Sequence, residues 1–205
     1  YEVPDAVRAE IVALRDDKER PYDLPTDHPA TSATPDHGIT LRDYQQEAVD
    51  AWRANENHGL FEMATGTGKT YTAIGAMDGE LRRGTEPMVV VITAPMTHIA
   101  HQWIESLADF GYENPRLLWG TENPNWKEDL ATIVGDVNLG LADEELIVTT
   151  HDTGSGEKFR DQISSLDCST RIIADEVHNV GWPKRQKGLL TTFDGRLGLS
   201  ATRTR

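Results

Sequence analysis

Residues 63–70 read MATGTGKT, and the residue types follow one purpose. Gly66 and Gly68 let backbone N–H groups turn toward an anion, with Thr65 and Thr67 set around them. Lys69 adds a positive charge where outer phosphates would lie, and the Thr70 hydroxyl is a ligand for Mg²⁺. An apolar run precedes the turn and a helical pattern follows it, which is the context a phosphate loop demands. The general pattern wants glycine six before the lysine, where this chain has Met63, while the shorter G-x-G-K-T core is intact. The competing reading is a glycine turn that merely caps a helix. Lysine and threonine in register after a strand favour the phosphates of a nucleoside triphosphate with magnesium.

Hydrolysis needs a second magnesium anchor and a group that activates water. IIADEVH, residues 172–178, supplies both at the end of an apolar run: Asp175 to hold Mg²⁺ through water, Glu176 to orient or deprotonate the attacking water. Upstream, LRDYQQEA (41–48) carries Gln45, whose amide can pair with the N6/N7 edge of adenine.

These groups need a scaffold, and the pattern from Ile39 onward provides one. GLFEM (59–63) is a short strand entering the glycine turn, and KTYTAIGAMDGELRR is the helix after it. MVVVITA (88–94) is too short for a helix and rich in valine, hence a buried strand. THIAHQWIESLADFG (97–111) reads as a helix closed by glycine; RLLWG (116–120), ELIVTT (145–150), TRIIADE (170–176) and GRLGLSA (195–201) read as further strands. Strands alternating with helices, several of them without polar alternation, predict a mainly parallel sheet covered on both faces. Ligands bind such sheets at the carboxyl ends of the strands, where every motif above falls. Before this domain, residues 4–20 have helical spacing and residues 21–38 carry four prolines, so residues 1–38 are read as a helix and linker and 39–205 as the main domain.

The charge balance is acidic: 34 Asp and Glu against 20 Lys and Arg, a net −14, with only six lysines. Such a chain repels phosphate backbones unless its bases are gathered or salt screens the repulsion, so a salt-rich cytoplasm is the expected setting. No apolar stretch is long enough to span a membrane, and the single cysteine, Cys168, fits a reducing, cytoplasmic interior. The chain opens at Tyr1 with neither methionine nor leader, which gives the expectation that it is cut from something longer.

LRDYQ, MATGTGKT, TAP (93–95), TTHD (149–152), DEVH (175–178) and LSAT (199–202) together resemble the superfamily 2 helicases and translocases of the DExH type, in that family's order. The L-R-x-Y-Q form and the tail DGRLGLSATRTR look most like the DNA-directed branch of restriction-enzyme motor subunits and excision-repair translocases. The resemblance covers residues 39–205 and implies an α/β, RecA-like P-loop fold. It implies ATP and Mg²⁺ as ligands, with Gln45 reading adenine, Thr65 to Thr70 binding the nucleotide, and Lys69, Asp175 and Glu176 carrying hydrolysis. His178, Ser200 and Thr202 would couple nucleotide to strand movement. Ala94, Pro95, Thr149 and Thr150 would touch a phosphodiester backbone through main-chain N–H and hydroxyl groups, DNA rather than RNA. The chain ends at Arg205, just after LSAT, so the family's second RecA-like domain, with its arginine finger, is expected outside it, and this piece alone should hydrolyse ATP poorly. An ATP-gated nucleic-acid sensor and a P-loop ATPase acting on a protein are the competing functions.

Other clusters are less specific. His98 and His101 lie three apart on a helix without an acidic or cysteine partner at a matching offset. His151, Asp152 and Ser155 have the residue types of a hydrolase triad, but adjacency is not triad geometry, and the resemblance reads them as loop. WPKRQKG (182–188) is either a phosphate-backbone contact or a solvated loop. Trp52 and Trp103, at apolar helix positions, read as core.

Overall fold

The structure, a computed structural model, describes residues 38–83, 86–177 and 193–201. The elements run α1 (Asp43–Ala54), β1 (His58–Glu62), α2 (Lys69–Arg83), β2 (Met88–Ala94), α3 (Thr97–Asp109), β3 (Arg116–Leu117), α4 (Trp126–Asn138), β4 (Glu144–Thr150), α5 (His151–Gly154), α6 (Glu157–Ile163), β5 (Ser169–Ala174) and β6 (Gly195–Ser200). The six strands form one sheet in the order β1-β6-β5-β2-β4-β3, and every neighbouring pair is parallel. This is the parallel α/β sheet that the alternation of strand and helix patterns implied.

β2 is buried at every residue, and its side chains divide by parity as a pleat requires. Val90 and Ile92 face a core shared with Val49 and Trp52 of α1, Ile74 and Met77 of α2, and Trp103 and Leu107 of α3. Val89 and Val91 face a second core with Leu130 and Ile133 of α4 and Phe159 and Ile163 of α6. Helices therefore cover both faces, and each presents apolar residues three or four apart to do it. Fully burying one such side chain stabilises the fold by about 1.5–3 kcal/mol, so the two cores outweigh any polar contact at the rim. Gly111 closes α3 at φ +86°, a left-handed conformation that glycine adopts without strain.

Two expectations are modified. The strand expected over 116–120 stops at Leu117: Leu118 still donates its N–H to Val148 O, but the Trp119 carbonyl accepts the N–H groups of Glu122 and Asn123 and turns the chain away. Among the described strands β3 is the edge of the sheet, and edge strands are commonly kept short. His151 and Asp152, expected as loop, open the short helix α5 directly off β4, N-capped by the Thr150 hydroxyl, which accepts the Thr153 N–H.

Candidate nucleotide site at the carboxyl edge of the sheet

The pairing registers decide what meets what. Ala94 lies opposite Thr150, Thr93 opposite Ala174, Ala174 opposite Gly198 and Glu62 opposite Ser200, so five strands end close together at one edge. At that edge lie the glycine loop after β1, the Ala94-Pro95 segment closing β2, Thr150 at the end of β4, the Asp175-Glu176 turn after β5, and Ser200 at the end of β6.

The glycine loop joins β1 to α2. Gly66 and Gly68 have φ of +80° and +86°, and a Cβ on Gly68 would lie 2.7 Å from Gln45 Nε2. The Thr67 hydroxyl donates to Ala64 O at 2.7 Å, folding the loop on itself. Thr65 is exposed, while Lys69 and Thr70, partly buried, begin α2. No acidic residue sits in the first turn of this helix, so its positive dipole end is not offset from within the helix itself.

Two residues of α1 hold the loop from outside. Gln45, buried at 6% exposure, accepts the Arg42 N–H at Oε1 (2.9 Å) and donates from Nε2 to Gly68 O (3.3 Å). Tyr44 donates its hydroxyl to Thr67 O at 2.6 Å. Beside them opens a cleft of about 360 Å³ lined by Leu41, Arg42, Gln45, Gly66, Thr67 and Tyr71. Tyr44 was missed by the motif reading, although it sits one residue before Gln45. Its signal is that adjacency alone.

Across the edge, Lys69 Nζ meets Glu176 Oε1 at 3.2 Å, with the two side chains 10% and 26% exposed. Glu176 sits at φ +46°, in the left-handed region. For a non-glycine residue this costs about 1–3 kcal/mol and persists only where surroundings enforce it. Asp175, 8% exposed, accepts the Glu176 N–H at Oδ1 (2.9 Å) and the Trp103 indole N–H at Oδ2 (3.0 Å). Burial pushes its carboxyl above the ordinary range, against the opposing pull of the Trp103 hydrogen bond. Its main chain is held as tightly: the Asp175 N–H donates to Thr93 O (2.9 Å), and His151 Nε2 lies 2.8 Å from Asp175 O. Trp103 is therefore core, as expected, and also a hydrogen-bond donor to the acidic turn. Neither that nor the inward-facing His151 could be found from spacing.

Other expected residues take simpler places. Ser200 is buried, and its carbonyl accepts the Met63 N–H. Ala94 is buried and Pro95 half-buried. The Thr149 hydroxyl, expected to face a strand, is instead fully buried and donates to Leu118 O, because Thr149 is still inside β4. His178, Thr202, the basic cluster at 182–188 and the helix and linker of residues 1–37 lie outside the described residues. His101 pairs with Glu122 at 3.5 Å, and no group of three metal-capable side chains occurs among the described residues.

A wholly parallel sheet with a glycine loop after its edge strand and an acidic turn after its middle one defines a RecA-like P-loop domain. The chain belongs to the family described as "Type III restriction enzyme, res subunit", which matches residues 38–205, and it is a first RecA-like domain of the superfamily 2 helicase type. It is 28% identical over 168 residues to the "Putative DNA 3'-5' helicase Rad25" of Haloarcula marismortui, covering 82% of this chain and 23% of that protein. To the "DNA 3'-5' translocase XPB2" of Sulfurisphaera tokodaii it is 28% identical over 167 residues, 80% of this chain and 31% of the relative. The chain thus spans less than a third of the length of these curated relatives. Among solved structures, a nuclease-deletion mutant of the Type ISP restriction-modification enzyme LlaGI, in complex with a DNA substrate mimic, shares the fold with a TM-score of 0.62. The two are 18% identical, over 82% of this chain and 18% of that one.

Proposed function

We propose that this domain binds ATP with Mg²⁺ and powers a superfamily 2 motor that moves along nucleic acid, duplex DNA above all. The observation that carries this reading is the 3.2 Å pair between Lys69 of the glycine loop and Glu176 of the acidic turn. It joins a phosphate-binding charge to a water-activating carboxylate across the sheet edge. The N–H groups of residues 66–69, the N-terminus of α2 and the Lys69 ammonium hold the outer phosphates, with Thr65 and Thr67 flanking them. Arrival of phosphate draws Lys69 from Glu176, and the released carboxylate orients or deprotonates water.

Thr70 and Asp175 offer the hard oxygen donors that suit Mg²⁺. A carboxylate as buried as Asp175 carries a desolvation cost that a divalent cation offsets, which supports the fit. Magnesium, when bound, neutralises charge on the outer phosphates. Each end of the Gln45 amide keeps one unused hydrogen-bonding position, a hydrogen on Nε2 and a lone pair on Oε1, beside the cleft. That is what adenine requires. Main-chain groups around Ala94-Pro95 and Thr149-Thr150 touch the phosphodiester backbone, while Ser200, with His178 and Thr202, relays nucleotide state. A second RecA-like domain closes over the nucleotide and brings an arginine finger, a contribution of about 10³–10⁵ in rate. The acidic, lysine-poor balance supports work at high salt, where screening lets an acidic surface approach DNA.

The test is ATP turnover by the full-length protein with duplex DNA, single-stranded DNA or RNA, at low and at molar KCl, with Glu176→Gln as control. Stimulation by duplex that the variant lacks, together with displacement of a third strand from a triplex, supports the motor. Stimulation without displacement makes the protein an ATP-gated sensor. Silence toward every nucleic acid at both salts leaves an ATPase with a protein partner.

A further inference from the structure

The Asp175-Glu176 turn is held by residues that flank the two candidate strand-contacting loops. Trp103, two turns into the helix that follows Ala94-Pro95, donates its indole N–H to Asp175 Oδ2. Thr93, immediately before that loop, accepts the Asp175 N–H. His151, immediately after Thr149-Thr150, reaches Asp175 O with Nε2. A carbonyl only accepts, so Nε2 carries the ring proton and the tautomer is fixed by this contact. Trp103 and His151 are 1% and 2% exposed, so both bonds are shielded from water.

The carbonyl gripped by His151 belongs to the peptide that joins Asp175 to Glu176. The N–H of that same peptide donates to Asp175 Oδ1, and Oδ2 of the same carboxylate takes the Trp103 bond. One peptide plane is thus pinned from the start of α5 through its oxygen and from α3 through the carboxylate its hydrogen meets. The residue it leads into, Glu176, is the one at φ +46°. A small rotation of this plane re-aims the Glu176 side chain.

We propose that Trp103 and His151 are positioning residues that transmit backbone contact at the two loops to the Asp175-Glu176 turn. The inference rests on the motor reading above. A phosphodiester strand pressing on Ala94-Pro95 shifts the start of α3, and a packed helix carries Trp103 with it. Contact at Thr149-Thr150 moves His151 by direct chain continuity. Both displacements arrive at one turn, so strand binding and nucleotide binding are energetically linked there, and the linkage is reciprocal.

The test reads two factors in the full-length protein: the change a DNA duplex causes in ATP turnover, and the change it causes in Mg²⁺-dependent affinity for a fluorescent, non-hydrolysable ATP analogue. Trp103→Phe keeps an aromatic ring but removes the donor; His151→Ala removes the donor, and His151→Gln returns an N–H close to the Nε2 position. Wild type is expected to show factors within the usual range of about 5–150-fold. Trp103→Phe and His151→Ala should fall below about twofold in both factors, while His151→Gln keeps the wild-type value. Thermal melts accompany each variant; should Trp103→Phe not fold, the Ala and Gln pair at His151 carries the test. Variants that couple like wild type overturn the inference and leave the motor standing. A loss in one variant alone refutes the arm that stays silent. A wild type whose turnover ignores duplex, single-stranded DNA and RNA alike removes the motor reading and this inference with it.

Discussion

Gly68→Ala isolates the fit between the glycine loop and its support. Two costs arise at this position. A residue with a Cβ at φ +86° sits in the left-handed region at about 1–2 kcal/mol. The new methyl also lies 2.7 Å from Gln45 Nε2, nearer than ordinary contact, so the amide must swing away. That motion gives up the bonds to Gly68 O and Arg42 N, each worth about 0.5–1.5 kcal/mol. Gly68→Ala should therefore destabilise the domain by about 2–5 kcal/mol. Gly66→Ala is the internal control: its φ is +80°, but its Cβ meets nothing within 4 Å, so only the backbone cost of about 1–2 kcal/mol applies. Urea denaturation of the chain followed by circular dichroism reads both values. The decisive arm is Gln45→Ala, in whose background Gly68→Ala should cost about as little as Gly66→Ala, since the amide is gone. Equal costs at the two glycines in wild type, or an undiminished Gly68→Ala cost without Gln45, would refute the reasoning.

Two further perturbations test the acidic turn and the loop's outer brace. The folded pKa of Asp175 stands above its ordinary 3.8 because of burial, so the folded state holds the proton more tightly than the unfolded one. The stability this carboxyl contributes is present below 3.8, declines as pH rises through the raised value, and is level above it. The difference in unfolding free energy between wild type and Asp175→Asn should follow that curve in urea titrations from pH 3.5 to 7; a difference that grows with pH would be wrong in sign. Tyr44→Phe removes the hydroxyl bond to Thr67 O at an exposed site. It should change stability by less than about 1 kcal/mol yet weaken binding of a fluorescent ATP analogue by up to about tenfold. Unchanged affinity would show that the loop needs no such brace.

Legibility from sequence followed the range of the forces involved. The helix over 69–83 and the strand over 88–94 are written in local periodicity, and the structure has them at those bounds. Lys69, Asp175 and Glu176 stand out in the sequence because the proposed phosphate chemistry would fix both residue type and neighbours, and the structure brings Lys69 within 3.2 Å of Glu176. β3 is shorter than its apolar run predicts, because its end depends on the turn at Trp119 and on its place at the edge of the described strands, facts of tertiary arrangement. Trp103 illustrates the limit. An indole at an apolar helix position looks the same to periodicity whether its N–H meets nothing or meets a carboxylate 72 residues on. The Thr149 hydroxyl erred the other way, since a polar group at a strand end reads as outward until its partner, Leu118 O, is known.

The strand order has a consequence for how the site comes into being. β6 is last in the chain among the described strands, yet it alone bridges β1 to the rest of the sheet, pairing His58 with Arg196. As a ribosome releases the chain from its amino end, β2, β4 and β5 can pair while β1 and its glycine loop have no seat. Closing that last gap joins segments very far apart in sequence, the slow kind of step. The candidate nucleotide site is thus assembled only after β6 has been made. On the proposed function, a nascent chain cannot hold ATP there before β6 has emerged.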